Sequence, residues 1–449
     1  MQRNIEKELI HWSKESKPLP IIVRGARQVG KSFTIRKFGQ ENFKNFIEIN
    51  FETMPEFLDC FKTTNVNEIC MALEIKTLKK ISAKNTLIFI DEIQESPIAL
   101  RSLRSFYENK TGLHVIAAGS LLEFLLKKEE ISIPVGRIHY LFMRPMSFYE
   151  FLLAKGAKMK LDYIKNLNLK TSVSTSIHKD LLKDLRDFLL CGGMPLVVYE
   201  YLNRGILEAF KIQKSLINTY KDDFGKYSKI SHHAYLEQVF MKSSKYIGSK
   251  FKYSNVNQDV KSRDLKNALE LLCLAGVIHK VIRTSGAGLP FEAEASDKDF
   301  KVIHLDVGLV QNILGMNEEI ALGEDFHSIA AGAITEQFAG QEILSAKDFY
   351  TNDSLYYWER SGSNQSAEVD YLVNVGSRVI PVEVKSGKRG KLRSLLSFMK
   401  QYESPIGIKF SQEALYTDKD ILSIPLYAIA EYRRLVKEFY EAQELVNLR

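Results

Sequence analysis

"IIVRGARQVGKSF", Ile21 to Phe33, sets a short apolar run, a turn with two glycines and a Lys-Ser pair next to one another. Residues 21–24 have the β-branched, apolar character of a buried strand, and "KSFTIRKFGQEN" reads as the helix that follows. Between them the chain runs Gly25, Ala26, Arg27, Gln28, Val29, Gly30, Lys31, Ser32, with Phe33 directly after. Glycines accept backbone angles that a side chain forbids, so this turn can aim successive N–H groups at one point and cradle a phosphate. The helix N-terminus adds its partial positive charge. The spacing predicts that Lys31 reaches the β- and γ-phosphates of ATP and that the Ser32 hydroxyl ligates Mg²⁺.

A second apolar run, "TLIFIDEIQ", has the composition of a buried parallel strand and ends in Asp91-Glu92. Asp91 is expected to hold Mg²⁺ through water, and Glu92 to polarise the water that attacks the γ-phosphate. Paired acids at a strand end also serve as a simple helix cap. A third run, "LHVIAAGS", ends in Ser120. Lying between the other two strands, it would bring that hydroxyl within reach of the γ-phosphate.

Together these features resemble the AAA+-like P-loop ATPases that carry a catalytic glutamate beside the Mg²⁺-binding aspartate. "PLPIIVRGARQVGKS", "IFIDEIQ", "VIAAGSLLEF", "SIPVGRIHYLFMRPMSFYEFL" and "CGGMP" resemble successive signatures of one prokaryotic family. That family consists of AAA-type ATPases with a conserved C-terminal domain of formerly unknown function. The resemblance implies a sensor role for Ser120. It also makes Arg137 in "PVGR" a candidate charge-sensing or finger arginine contacting the nucleotide, with Arg144 as runner-up. A finger supplied in trans would require a homo-oligomer, and a surface ion pair is the plain alternative for Arg137.

Length and composition fit this scheme. The 449 residues are enough for roughly three domains, and 45% hydrophobic with 26% charged residues is ordinary for a globular chain. No basic-then-apolar leader opens the sequence, and "VIAAGSLLEFLL" is broken by Glu123 and too short to span a bilayer. Cys60, Cys70, Cys191 and Cys273 are scattered, which reads as buried free thiols in a cytoplasmic protein with no membrane partner. The net charge of +7 is concentrated. From Ser228 to Arg283 stand ten Lys/Arg against four Asp/Glu, a surplus of six, which points to a polyanion contact.

That basic segment follows a helical stretch, about Lys170 to Tyr227, expected to form a lid on the ATPase core. "HAYLEQVFMKSSKYIG" and "DLKNALELLCLAGVIHKVIR" have helical spacing, with a β-branched run and "TSGAGLPF" behind them. This is the outline of a winged helix, and the family resemblance implies one. Ser262 would cap its recognition helix, with Lys261, Arg263 and Lys266 turned to DNA phosphates. A winged helix used only for packing is the alternative.

The C-terminal third runs helix, strand, strand, strand, helix, strand. Glu336 lies on the first helix, Asp370 in "EVDYLV", and Glu383 and Lys385 in "VEVK". Strand alternation puts Asp370 and Leu372 on one face, and Glu383 and Lys385 on one face. Two carboxylates and an ammonium at one point suit phosphodiester cleavage. Asp370 and Glu383 would bind Mg²⁺, Glu336 would complete the metal shell, and Lys385 would orient water or stabilise developing charge. The set resembles the PD-(D/E)XK nuclease superfamily, with "VD" in place of its leading "PD"; members of that fold also bind nucleic acid without cutting.

The expected architecture is α/β: a P-loop ATPase parallel sheet (1–165) with a helical lid (166–228), then a winged-helix domain (229–300). A PD-(D/E)XK nuclease-like domain (301–449) completes it. The expected function is an ATP-hydrolysing DNA-processing enzyme whose winged helix grips DNA and whose C-terminal domain cuts or binds it with Mg²⁺. The alternative is an ATP-dependent switch that grips DNA or a partner without cleavage. A kinase on the same P-loop lacks any further catalytic constellation near the ATP site.

Overall fold

Ile21, Ile22 and Val23 are buried in strand β1 (Ile21–Arg24) because the strand lies inside a sheet covered on both faces. A computed structural model of the chain describes residues 1–119, 136–227, 230–316, 329–352, 354–360, 367–387 and 392–447. The chain divides into two compact units. The first is Met1–Pro145 with Leu274–Gly276 and Asp348–Asn352; the second is Met146–Cys273, Val277–Lys347 and Asp353–Arg449.

In the first unit, β1 joins β2 (Asn45–Asn50), β3 (Thr86–Asp91), β4 (His114–Ala118) and β5 (His139–Phe142) in the order β2-β3-β4-β1-β5. All four pairings are parallel. β3 and β4 are buried along their whole length. The connections carry α1 (Glu6–Trp12) ahead of the sheet, then α2 (Lys31–Asn42), α3 (Val66–Thr77) and α4 (Pro97–Asn109). Ile22, Ile47, Ile49, Ile88, Ile90 and Leu103 meet in one core cluster; each such side chain contributes about 1.5–3 kcal/mol by burial. β4 lies between β1 and β3, as the sequence predicts. Parallel register brings the ends of β1, β3 and β4 out on one edge, with Val23 opposite Ala118 and Ile90 opposite Ala117.

The second unit opens with α5 (Phe148–Ala154), α6 (Lys158–Lys165), α7 (Thr175–Cys191), α8 (Pro195–Arg204) and α9 (Ile206–Tyr227). Then come α10 (Ile230–Ser243), α11 (Tyr253–Val256), α12 (Ser262–Leu274), and the antiparallel pair β6 (Ile278–Thr284) and β7 (Ala295–His304). α13 (Val307–Ile313) and α14 (Ile329–Ser345) lead to β8 (Leu355–Glu359), β9 (Glu368–Val375) and β10 (Arg378–Val384). α15 (Arg393–Gln401), β11 (Gly407–Ser411), β12 (Tyr416–Asp418), β13 (Ile421–Pro425) and α16 (Tyr432–Asn447) complete it. Eight strands form one sheet in the order β12-β13-β11-β10-β9-β8-β6-β7.

Two expected boundaries move. The first unit ends at Pro145, short of 165, because α5 packs with the second unit. Ser147 and Glu150 close a capping box there, and Phe148 and Phe151 sit against Phe188 of α7. The division at 300/301 falls inside β7. The hairpin read as a wing is the edge of the C-terminal sheet, since β6 pairs in parallel with β8, Val281 opposite Leu355. The helix start also moves by a residue: Ser262, read as a cap, is the first residue of α12. No helix among the described residues is long and apolar enough to cross a membrane. All four cysteines are free, with Cys60, Cys70 and Cys191 buried.

Candidate functional site: a phosphate loop and a buried acid cluster

In the first unit the loop from Gly25 to Gly30 leaves β1 and enters α2. Gly25 adopts φ 141°, and a Cβ there would stand 2.1 Å from the Met143 carbonyl oxygen, so the position admits no side chain. Gln28 (φ 64°) and Gly30 (φ 94°) are left-handed as well, which turns the loop back on itself before the helix. Ala26 and Val29 are buried and anchor it, while Gln28 and Phe33 are exposed. Lys31 is buried and folds over the loop, donating from Nζ to the carbonyls of Gly25 (2.8 Å) and Ala26 (2.9 Å). Burial lowers its pKa to about 8 against the opposing pull of Glu92 and Asp91.

The two acids close β3 on the same edge. Asp91 is buried, and burial raises its pKa against a hydrogen bond from Ser32. Its Oδ1 accepts from the Glu92 backbone at 3.1 Å, and its Oδ2 from Asn50 Nδ2 at 3.3 Å. Glu92 stands at φ 52° and accepts from Gln94 Nε2 at 2.5 Å. An ammonium, a hydroxyl and two carboxylates therefore share one edge with a helix N-terminus. A triphosphate fits them: its charge would favour the Lys31 ammonium that burial disfavours, and Mg²⁺ would do the same for Asp91.

The structure brings Lys31, Ser32, Asp91 and Glu92 together as the sequence predicts. Ser120 lies outside the described residues. Arg137 does not reach the phosphate loop of its own chain. Ile21 pairs with His139, so Arg137 stands at the edge where the strands begin, about 13 Å of strand away from the phosphate loop at 3.3 Å per residue. There its Nε reaches Glu108 at 3.3 Å with nearly half the side chain exposed, the plain surface ion pair. Arg144 follows β5 on the phosphate edge. Sequence reading passed over Asn50, Gln94 and Arg3. Arg3, buried, donates to the carbonyls of Val29 (2.8 Å) and Arg144 (2.6 Å), and so joins the loop to the segment after β5.

Residues 17–152 match a family described as an AAA domain. Over that span the chain is similar to AAA domains. Two further matches are domains of unknown function, one designated DUF8612 over residues 182–320 and one designated DUF4143 over 331–429. The uncharacterized protein MJ1544 of Methanocaldococcus jannaschii is 29% identical over 203 residues, 45% of this chain and 40% of that protein. The chain thus spans less than half the length of that relative. Among solved structures, the Walker-type ATPase of Pyrococcus abyssi shares 15% identity at a TM-score of 0.43, covering 70% of this chain and 95% of its own. The Aeropyrum pernix ORC2 protein gives 13% and 0.31 over 71% and 92%. The Thermotoga maritima RuvB Holliday junction branch migration motor gives 16% and 0.27 over 62% and 89%.

The second unit holds the acids of the C-terminal sheet. Glu383 and Lys385 share a face as predicted and form an ion pair at 2.5 Å. Asp370 Oδ2 accepts from the Val384 backbone at 2.7 Å. Simple alternation does not place Asp370, however. Between Tyr356 and Trp358 on β8 the register with β9 shifts, so two residues of β8 oppose three of β9. Leu372 packs with Val369, Tyr356 and Trp358 in one apolar cluster, while the Asp370 carboxylate stands 4.0 Å from the ammonium of Lys301. Lys301, on β7, also pairs with Glu336 of α14 at 2.9 Å and with Glu368.

Here the expected metal shell of Glu336, Asp370 and Glu383 is corrected. Among the described residues no three Asp, Glu, His or Cys side chains are grouped to hold a metal ion. The cation between Glu336 and Asp370 is Lys301, whose residue is 1% exposed. Burial works against its ammonium, but Glu336, Asp370 and Glu368 outweigh it and raise its pKa. Burial raises Glu336 and Glu383 in turn, against Lys301 and Lys385. Neither Lys301 nor Glu368 belongs to any short motif; the only cue in the sequence is a lysine inside the β-branched run "FKVIH".

Lys261, Arg263 and Lys266 are exposed at the N-terminal end of α12, with Arg263 3.9 Å from Asp264.

Proposed function

We propose that this chain is a Mg²⁺-dependent ATPase that couples nucleotide turnover to a grip on DNA. The observation that carries the reading is the convergence of Lys31, Ser32, Asp91 and Glu92 on one sheet edge, above all the Ser32–Asp91 hydrogen bond. Ser32 and Asp91 would hold Mg²⁺, which when bound neutralises charge on the β- and γ-phosphates. Lys31 turns from the Gly25 and Ala26 carbonyls to the phosphates, and the loop N–H groups and the start of α2 receive the rest of their charge. Glu92, oriented by Gln94, accepts a hydrogen bond from the attacking water and aligns it with the γ-phosphorus.

The DNA half of the reading rests on the exposed cations that open α12 and on the three-helix and hairpin order around them. Four free cysteines suit a reducing, cytoplasmic setting. Cleavage is left out of the reading, because the cation among Glu336, Glu368 and Asp370 is a lysine. The switch that holds DNA without cutting it is therefore favoured over the nuclease.

The test measures phosphate release and anisotropy of labelled duplex DNA on the full chain. Lys31→Ala should reduce turnover by about 100-fold or more (~2.7 kcal/mol). Lys261→Ala with Lys266→Ala should leave turnover intact, weaken DNA binding, and lower the log–log salt slope by about 2. DNA incubated with wild type and Mg²⁺ or Mn²⁺ should stay whole. Turnover unchanged by Lys31→Ala would refute the ATPase half; DNA affinity and salt slope unchanged by the double variant would refute the DNA half.

A further inference from the structure

The segment that precedes β1 is built into the phosphate loop of the first unit. Ile5, Leu9 and Trp12 are buried, and Trp12 donates from Nε1 to the Leu19 carbonyl at 2.7 Å, which fixes the segment in place. Arg3, 6% exposed, reaches two main-chain carbonyls, that of Val29 from Nη1 at 2.8 Å and that of Arg144 from Nη2 at 2.6 Å. A guanidinium is costly to bury unless its N–H groups find acceptors, and these carbonyls supply them. The Arg3 backbone N–H donates to Glu6 Oε1 at 2.9 Å, and Glu6 Oε2 accepts from Lys37 of α2 at 3.0 Å. One short stretch therefore braces both the loop and the helix that begins at Lys31.

We propose, resting on the ATPase reading, that Arg3 is a positioning residue of the nucleotide site and holds the loop in the shape that receives phosphate. The Val29–Gly30 peptide is trans, so its C=O and N–H point in opposite directions. With the Val29 carbonyl turned onto Arg3, the Gly30 N–H at the entry of α2 is turned away from it, as the loop needs in order to meet an anion. Gly30 stands at φ 94°, a conformation that glycine leaves as readily as it enters, so the loop gains from a brace outside its own residues. Lys31 gives up its hold on the Gly25 and Ala26 carbonyls when it turns to phosphate, whereas Arg3 keeps its hold on Val29. The guanidinium also sets a positive charge one hydrogen bond behind the loop, which favours an anion within it. Lysine is a poor substitute, because the two carbonyls are met by different nitrogens of one planar fork.

The experiment measures steady-state ATP hydrolysis and the rise in melting temperature at one fixed ATP concentration, on the full chain as wild type, Lys31→Ala, Arg3→Met and Arg3→Lys. Wild type should turn over ATP and Lys31→Ala should lose that turnover, which establishes the site itself. Arg3→Met should raise KM by about 10-fold (~1.4 kcal/mol) with kcat nearly unchanged, because ground state and transition state lose the same donors. The ATP-induced rise in melting temperature should shrink with it. Arg3→Lys should move KM in the same direction, by about 3-fold. A merely structural role would lower the melting temperature alike with and without ATP and leave KM where it was. That result, or a loss confined to kcat, overturns the positioning role and leaves the ATPase reading standing. Should Arg3→Met fail to fold, Arg3→Lys decides, and a KM equal to that of wild type overturns the role. Wild type that is neither stabilised by ATP nor hydrolyses it, or turnover that survives Lys31→Ala, overturns both, and the wild-type and Lys31→Ala measurements tell that failure from the other.

Discussion

Gln94 is held on two sides. Its Nε2 donates to Glu92 at 2.5 Å, and its Oε1 would lie 2.2 Å from any Cβ added at Gly119, the residue that follows β4. So confined, the amide can orient the Glu92 carboxylate without itself touching the nucleotide. Glu92→Gln keeps the shape and removes the base, so turnover should fall by about 100-fold or more while ATP affinity holds. Gln94→Ala should act through Glu92, lowering kcat about 10-fold (~1.4 kcal/mol) with KM nearly unchanged. Steady-state kinetics separates the two roles: a rise in KM with constant kcat after Gln94→Ala would mean that this amide serves binding and does not position the base. At this scale the sequence was informative where chemistry is contiguous. Gly25 to Ser32 and Asp91-Glu92 are each written in one short run, and the structure brings them together. A short motif does not tell which end of its strand it flanks, and Arg137 lies at the end away from the phosphate loop of its own chain.

Among elements, the end of α7 shows why "CGGMP" is spelled as it is. Gly193 N–H donates to Asp306 at 2.6 Å, and Asp306 also caps α13 through the N–H groups of Gly308 and Leu309. A Cβ at Gly192 would meet Asp306 at 2.1 Å, and one at Gly193 would meet the Met146 carbonyl at 2.0 Å. One aspartate thus ties the close of one helix to the start of another. Gly193→Ala should destabilise the protein by about 1–3 kcal/mol through forced shifts of packed backbone. Gly225→Ala, in α9 with open space around it, should instead be stabilising by about 1 kcal/mol. Urea unfolding of the two variants reads the difference; equal effects would show that the 193 contact is easily relaxed. The run of helix, strand, strand, strand, helix, strand from α14 to β11 was legible from periodicity, whereas β12, β13 and α16 after it, and β2 and β5 of the first sheet, were not. What was not legible depends on distant partners. The Asp306–Gly193 bond spans 113 residues. The register shift that redirects Asp370 depends on how β8 meets β9, and the merging of the wing into the sheet on β6 finding β8.

Across the whole molecule, the second unit buries an unusual set of carboxylates. Glu342 of α14 is 2% exposed and accepts one bond, from the Phe148 backbone at 3.0 Å, at the start of α5. Burial pushes its pKa up to about 8; the Phe148 bond opposes and nearby Glu150 adds to the rise. Burial raises Glu336 and Glu383 in the same direction. A carboxyl whose pKa is higher folded than unfolded binds its proton more tightly in the fold, so the folded state is favoured most at low pH. That contribution is complete below the unfolded value of 4.5 and is lost as pH rises through about 8 for Glu342. Groups shifted the other way, such as Asp299 beside Lys250 and Arg283, work against acid, so the melting temperature should peak between the two effects. Between pH 6 and pH 9 the melting temperature of wild type should therefore fall. Glu342→Gln keeps a hydrogen-bond acceptor for the Phe148 N–H and removes the titration, so its melting curve should flatten over that interval and cross above wild type at the alkaline end. Thermal melts by circular dichroism at fixed ionic strength measure this directly. A wild-type profile that rises from pH 6 to pH 9, or a variant that keeps the wild-type slope, would mean that Glu342 is ionised inside the fold and that its Phe148 bond outweighs burial.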